Sequence, residues 1–300
     1  MSIFISQLFN GLSLGSIMLL IALGLAITFG LMNVINMAHG ELIMVGAYAT
    51  YVMQLIFSKY LPESLFNYYY FIAIPISFLV ASFIGYLLEK GIIRFLYNRP
   101  TDSLLATWGI SLILQQIARS IFGAPNVAVV APAWMDGGWQ IFGITLPYKR
   151  LLILSLSIVC IALLYYYLNK TSTGLRIRAV TMNRNMASCL GIFTRKIDSL
   201  GFALGAGLAG IAGCSLTLLG PIGPTIGTYY IVDAFMVVIL GGIGGLKGTI
   251  IGAFGIGMLS TVVEYSFGAT MAKVIVFAVI ILFLQWKPLG IFSYRTRALD

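Results

Sequence analysis

The stretch KTSTGLRIRAVTMNRNMASCLGIFTRKID, residues 170–198, is both strongly basic and free of an unbroken apolar run, and apolar segments flank it on either side. It holds a third of the 18 lysines and arginines of the chain. Positive charge between transmembrane segments is retained on the cytoplasmic side. We therefore expect residues 170–198 to form a cytoplasmic loop that sets the orientation of everything around it.

This loop has two interpretations. An ordinary basic loop that only fixes the topology is the simpler one, and composition alone favours it. The other is a docking surface for a cytoplasmic partner. Within the loop, residues 186–191 predict a short helix, with Asn185 as its N-cap and Gly191 as its stop.

The composition around the loop is that of a membrane protein. The chain has 300 residues, of which 60% are hydrophobic and 9% charged, whereas soluble domains are about 25% charged. Repeated apolar runs of about 20 residues predict an all-α, polytopic transmembrane helical bundle that forms one domain over residues 1–300. The net charge of +9 gathers at helix ends, where topology and lipid headgroups explain it. We therefore expect a lipid bilayer as partner, and no nucleic acid.

We predict nine spans, with a range of eight to ten because the turns at 32–41 and 241–247 can each hide a re-entrant piece. A long outer loop at 122–149, rich in Gly and Pro and carrying two tryptophans, predicts a structured cap or an interfacial belt. Most lysines and arginines then share one side, which predicts the N-terminus outside and the C-terminus in the cytoplasm. The predicted spans are 8–31, 42–57, 67–88, 102–121, 150–168, 199–219, 229–240, 248–264 and 270–286.

Several polar side chains fall at membrane depth and are candidates for a substrate pathway. Asn36, His39 and Glu41 lie in the turn at 32–41, where irregular backbone is tolerated if it is buried or lines a cavity. His39 either lines a pathway or relays a proton, or it has its ring nitrogens bonded to backbone at a helix end, and the last interpretation is favoured. Asp233 and Glu264 are equally balanced between a pathway and a packing role.

No catalytic, metal or cofactor site is expected. The chain has one histidine, and His39-Gly40-Glu41 is not a metal spacing. The segment GGIGGLKG at 241–248 lacks the spacing of a phosphate-binding loop, so we interpret it as a helix break. These residues predict a transporter subunit or channel for a small solute, without enzyme chemistry.

Several sequence motifs are more specific than these physical arguments. They are INMAHGE at 35–41, TGLRIRAV at 173–180, Asn183, Ala187 and Gly191-Ile192, and the Gly-rich segment 241–252. Over essentially its whole length the chain resembles the permease subunits of branched-chain amino-acid-type ATP-binding cassette (ABC) importers. Within that family it resembles the urea and short-chain amide branch most, through GLAITFG at 24–30, LATWGISLILQQ at 105–116, APN at 124–126 and KPLG at 287–290.

The resemblance implies a mechanism and partners. An extracytoplasmic binding protein delivers a small polar solute, a second and related permease completes the pathway, and two cytoplasmic ATPase subunits drive the cycle in a bacterial cytoplasmic (inner) membrane. Residues 182–191 then correspond to the coupling helix that docks on an ATPase, which reverses the preference for an ordinary loop. The residues implied in coupling are Gly174, Arg176, Arg178, Asn183, Ala187 and Gly191.

If the substrate is urea, we expect its contacts in the unusually polar fourth span, because urea needs both donors and acceptors. The candidates are Thr107, Trp108, Gln115 and Gln116. Three rival functions remain open: the same machine carrying branched-chain amino acids, a passive urea or amide channel, and a proton-driven carrier using His39, Asp233 or Glu264. An amino-acid site should offer partners for both carboxylate and ammonium, and the sequence shows no clear pair.

Overall fold

Helices account for most of the computed structural model, which describes residues 2–32, 34–97, 99–141, 144–242, 245–288 and 290–292. The predicted all-α membrane bundle is confirmed, with one small antiparallel hairpin added, β1 (Gly138–Ile141) and β2 (Ile144–Pro147). The helices are α1 (Ser2–Met32), α2 (His39–Tyr60), α3 (Glu63–Phe66), α4 (Tyr69–Gly91), α5 (Pro100–Phe122), α6 (Tyr148–Lys170), α7 (Ser172–Met182), α8 (Arg184–Cys189), α9 (Thr194–Leu216), α10 (Ile226–Gly241), α11 (Leu246–Phe267) and α12 (Ala269–Trp286).

Within the described residues, eight helices are long and apolar enough to cross a membrane. The predicted seventh span is the exception. It is α10, which has 16 residues and therefore extends about 24 Å at about 1.5 Å per residue, less than the roughly 30 Å of a hydrocarbon core. Eight full spans lie inside the predicted range of eight to ten.

Breaks in the chain confine α10 at both ends. The segment LGPIGPT at 219–225 precedes it, and proline and glycine oppose helix formation there. At the other end Gly242 has φ +94°, a conformation that favours glycine. The predicted break at 241–248 is thus confirmed between α10 and α11, although residues 243–244 lie outside the described residues, as does most of the predicted basic tail at 287–300.

The middle of the bundle is α1, which is largely buried between α9 and α11. Glycines allow this approach. A Cβ added at Gly24 would overlap the carbonyl of Gly205 in α9, and one at Gly257 in α11 would overlap the backbone of Gly15. Gly11 and Gly15 therefore form a small-residue face of α1 in contact with α11.

Helix α9 uses its glycines against a second neighbour, α2. A Cβ at Gly46 would overlap the backbone of Gly210, and one at Gly213 would overlap the carbonyl of Ile43. The backbones of α2 and α9 therefore touch without side chains between them. Near the same point the Ser77 hydroxyl of α4 donates to the Gly46 carbonyl at 3.0 Å, which fastens a third helix to the pair.

The long loop at 122–149 is structured, as predicted. Val127 and Ile222 exchange two backbone hydrogen bonds of 2.8 Å, which tie the loop to the segment before α10. The Trp134 ring stacks on Phe71 with centroids 5.1 Å apart, and its indole N–H donates to the Asn67 carbonyl at 2.8 Å. The loop therefore covers one end of α4.

The basic stretch 170–198 is more helical than we predict from sequence, because it holds α7 and α8 in place of one short helix. The predicted N-cap is wrong by two residues. Asn183 is the cap, since its side-chain oxygen accepts from the Met186 N–H at 2.9 Å, whereas Asn185 lies inside α8. Gly191, with φ +81°, follows the helix as expected.

We predict that Gly46→Ala destabilises the bundle. The added methyl group meets the backbone of α9, which cannot move aside as a flexible side chain can, and overpacking of this kind costs about 1–3 kcal/mol. The apparent melting temperature of the purified protein in detergent should fall by several degrees.

The matched control is Gly255→Ala in α11, where an added Cβ meets nothing within 4 Å. Equal melting temperatures for the two variants would contradict the proposed close contact between α2 and α9.

Candidate functional site

The segment between α1 and α2 is held by hydrogen bonds at the point where the helical ladder is interrupted. The Ala38 N–H donates to the Asn36 side-chain oxygen at 3.0 Å, and the Met37 N–H donates to the Thr107 hydroxyl at 3.2 Å. Thr107 belongs to α5, so the break is attached to a neighbouring helix. Of the predicted pathway residues, Thr107 therefore attaches the break to α5, and the Asn36 side-chain oxygen stabilises the break itself.

Glu41, in the first turn of α2, is the centre of a polar cluster formed by three helices. Its Oε1 accepts from the Ser111 hydroxyl and the Gln115 amide of α5, each at 2.8 Å, and is 3.4 Å from the Thr228 hydroxyl of α10. The Gln115 amide also donates to Thr228 at 3.0 Å. One carboxylate oxygen thus joins α2, α5 and α10.

The other oxygen of the same carboxylate, Oε2, is buried and has no hydrogen-bond partner among the described residues. Glu41 lines a cavity of about 370 Å³ between α2, α5 and α10. Its lining includes Trp108, Gln115 and Tyr229, together with the apolar residues Met37, Leu112 and Ile231.

Two helix starts meet behind this cavity. A Cβ at Gly40, in the first turn of α2, would overlap the backbone of Gly227, in the first turn of α10, and the reverse also holds. The two glycines therefore bring the beginnings of both helices together inside the bundle. Glu41 and Thr228, each one residue further on, come within reach of each other for this reason.

His39 is buried beside the cluster but bonds elsewhere. Its Nε2 is 3.3 Å from the Ile21 carbonyl inside α1, whereas Nδ1 has no hydrogen-bond partner among the described residues. One ring nitrogen therefore has a backbone partner of the kind that we expect, but away from a helix end. The ring lies against α1 rather than in the lining of the cavity.

The remaining predicted pathway residues lie apart from this cavity. Asp233 forms an ion pair with Lys273 of α12, with 3.5 Å between Oδ2 and Nζ, and Lys273 also donates to the Tyr229 carbonyl at 3.3 Å. Glu264 and Gln116 are exposed on the bundle surface. The structure therefore brings together Glu41, Trp108 and Gln115 from the predicted set.

Sequence reasoning missed two members of the cluster, Ser111 and Thr228. A signal for Ser111 was present, because Thr107, Ser111 and Gln115 repeat at four-residue intervals and share one face of α5. Nothing local distinguishes Thr228, which joins the cluster through the contact between Gly40 and Gly227.

A second polar cluster attaches α8 to the bundle. Arg184 of α8 makes two hydrogen bonds to Asp198 at the start of α9, one of them 3.2 Å long. Its guanidinium also lies 5.4 Å from the centre of the Tyr97 ring. Because the Asp198 side chain is fully buried, this pair fixes where α8 sits.

The cluster continues to α4. The Tyr97 hydroxyl donates to Glu89 at 2.7 Å, and the Ser199 hydroxyl of α9 donates to the other oxygen of Glu89. Burial and the hydrogen bond to Glu89 raise the pKa of Tyr97 well above its ordinary value, so this phenol stays protonated as a donor. Helices α4, α8 and α9 are therefore joined by one connected set of side chains.

The surface of α7, α8 and the residues next to them that points away from the bundle is apolar and basic. Met182, Met186, Leu190 and Phe193 are each at least 60% exposed, and Arg176 and Arg178 are exposed on α7. Of the residues implied in coupling, Gly174 and Ala187 are buried, so the small Ala187 side chain faces the bundle instead of the outward surface. Asn183 caps α8, and Gly191 is exposed.

Comparison with known proteins gives the family of this chain. A family model described as the branched-chain amino acid transport system / permease component matches residues 7–284. The chain belongs to this family. Permeases of the family are membrane subunits of ABC transporters, and nothing in the match indicates enzymatic activity.

The similar proteins cover the permease almost completely. This chain is 29% identical over 297 residues to the high-affinity branched-chain amino acid transport system permease protein LivH of Salmonella typhimurium. The alignment covers 96% of this chain and 95% of the relative. BraD of Pseudomonas aeruginosa, with the corresponding description, is 29% identical with the same coverage. A probable LivH of Methanocaldococcus jannaschii is 29% identical, covering 92% and 88%. No solved structure matches the permease significantly.

We predict that Arg184→Ala loosens α8. The change leaves the buried Asp198 carboxylate without its partner, and an unpaired buried charge is strongly unfavourable. Amide hydrogen exchange over residues 184–191 should become at least several-fold faster than in the unmodified permease.

Arg178→Ala is the control, because Arg178 has the same charge and an exposed position on α7. If both variants exchange at the same rate over α8, the Arg184–Asp198 pair does not hold this helix.

Proposed function

We propose that this chain is the membrane-spanning permease subunit of an ATP-driven importer for branched-chain amino acids. The relatives named above are described as branched-chain amino acid permeases and align with nearly the whole chain. The urea branch, which the sequence resemblance favours, is not supported by these relatives. Branched-chain amino acids, one of the rival substrates that the sequence leaves open, therefore replace urea.

The observation that supports a branched-chain amino acid as the substrate is the lining of the cavity beside Glu41. Met37, Leu112 and Ile231 offer apolar walls, which suit a branched aliphatic side chain because burying it removes apolar surface from water. The same cavity contains a carboxylate that is not fully hydrogen-bonded within the described residues. Urea has no apolar part that such walls would favour.

Energy for transport comes, in this proposal, from two ATPase subunits, one of which docks on the face of α8 that points away from the bundle. Met182, Met186, Leu190 and Phe193 expose the apolar surface that a protein partner would bury. The basic residues around them suit acidic groups on the partner. A second permease and an extracytoplasmic binding protein complete the machine, as the resemblance implies.

The proposed orientation follows from charge. The stretch 170–198 carries a third of the lysines and arginines, and positive loops remain in the cytoplasm. The N-terminus is then outside and the C-terminus inside, with α10 counted as a crossing element although it is short. Labelling of single cysteines introduced at residues 64 and 178 by a membrane-impermeant maleimide in intact cells tests this, and we expect labelling at 64 alone.

Uptake of labelled leucine and labelled urea, at low micromolar concentration in cells with and without the gene, tests the function. We expect leucine to accumulate above its outside concentration, and accumulation to stop on ATP depletion but to persist after uncoupling at maintained ATP. A requirement for the proton gradient would instead indicate a carrier. Equilibration of urea without ATP would indicate a channel.

We predict that Leu190→Asp prevents docking of the ATPase subunits. Leu190 is 74% exposed, so the change should leave the fold intact while placing a charge in an apolar interface. Co-purification of the ATPase subunits with the tagged permease should fall at least tenfold.

The control is Leu65→Asp in α3, which changes an exposed leucine (43% exposed) on the opposite side in the proposed orientation. ATPase recovery with Leu190→Asp equal to that with Leu65→Asp would exclude α8 as the docking site.

A further inference from the structure

We propose that Glu41 binds the α-ammonium group of the transported amino acid, so that the permease itself holds a selective substrate site. This inference rests on the proposed function and adds a residue-level contact to it. The site is the cavity between α2, α5 and α10, and the contacting atom is Glu41 Oε2.

The first support is the burial of this carboxylate. Glu41 is 1% exposed, and its two oxygens differ sharply in their surroundings. Three donor groups surround Oε1, whereas Oε2 has no hydrogen-bond partner among the described residues. A buried acceptor without a donor is unfavourable, and a ligand that brings an N–H donor removes this penalty.

The second support is the arrangement of the protein's own positive charges. The ion pairs found among the described residues do not include Glu41. Lys273, which is close to the cavity residue Tyr229, is engaged with Asp233. Buried carboxylates are stabilised by pairing with a cation, and a substrate ammonium supplies one.

The carboxylate is also fixed in position before any ligand arrives. Ser111 and Gln115 hold Oε1 from one face of α5, and Thr228 approaches it from α10. Oε2 is the carboxylate oxygen left without a partner among the described residues, and Glu41 is one of the residues that line the cavity. A preorganised acceptor loses little freedom on binding, which increases its selectivity.

The rest of the cavity fits the other parts of an amino acid. Its volume of about 370 Å³ lies within the range of about 300–1,000 Å³ typical of small-ligand pockets. Met37, Leu112 and Ile231 provide the apolar surface. Trp108 and Tyr229 are in the same lining, and their side chains carry hydrogen-bond donors.

Binding of labelled leucine to the assembled membrane complex in lipid nanodiscs, without the binding protein, tests the site in the unmodified permease. Leucinol keeps the ammonium group and lacks the carboxylate, whereas 2-hydroxy-4-methylpentanoate keeps the carboxylate and lacks the ammonium. We expect leucinol to displace leucine at a concentration at least tenfold lower than the hydroxy acid. Equal displacement by the two, or displacement by urea at the same concentration, would overturn the proposal.

The variant Glu41→Gln keeps the size of the side chain and removes its charge. We expect its affinity for leucine to fall at least tenfold, while Glu264→Gln, which changes an exposed carboxylate of α11, binds as the unmodified permease does. Should Glu41→Gln fail to assemble, the competition between leucinol and the hydroxy acid decides the matter without it.

The experiments distinguish a failure of the Glu41 site from a failure of the proposed transport function. Leucine uptake by cells together with no leucine retained by the complex, or with full affinity in Glu41→Gln, refutes the Glu41 site and leaves the function standing. Absence of leucine uptake refutes the function itself.

Discussion

The closeness of the helix backbones is the constraint on which this bundle depends. Lipid gives helices little hydrophobic reason to associate, so their association relies on packing and on hydrogen bonds between them. At Gly24 and Gly205, and again at Gly46 and Gly210, no side chain separates the two backbones. Helix α9 is therefore in direct contact with α1 and α2, and the positions of the polar groups follow from these contacts.

Helix α9 connects the two polar clusters of the molecule. Asp198 and Ser199, near its beginning, hold α8 and α4, and Gly213, about 22 Å further along at about 1.5 Å per residue, packs on Ile43 beside Glu41. Helix α9 is thus in contact both with α8 and with the start of α2.

The Glu41 cluster changes the chemical argument about the substrate. In sequence the polar residues of α5 suggest a neutral solute such as urea, because glutamines and threonines offer both donors and acceptors. In the folded chain Gln115 and Ser111 are engaged with Glu41, and the cavity beside them is largely apolar with one incompletely bonded carboxylate. The polar side chains position the charge, and this favours an amino acid over urea.

The sequence by itself determined the number of long apolar segments to within one, the break before His39, the break after Gly241 and the basic stretch with its short helix. These features depend on length, composition and glycine or proline, all of which are local. Tertiary structure alone decided that Thr228 joins Glu41, that Asp233 pairs with Lys273 and that Ala187 faces inward. In a membrane helix the lipid-facing and protein-facing sides are both apolar, so periodicity does not reveal which side packs on which neighbour.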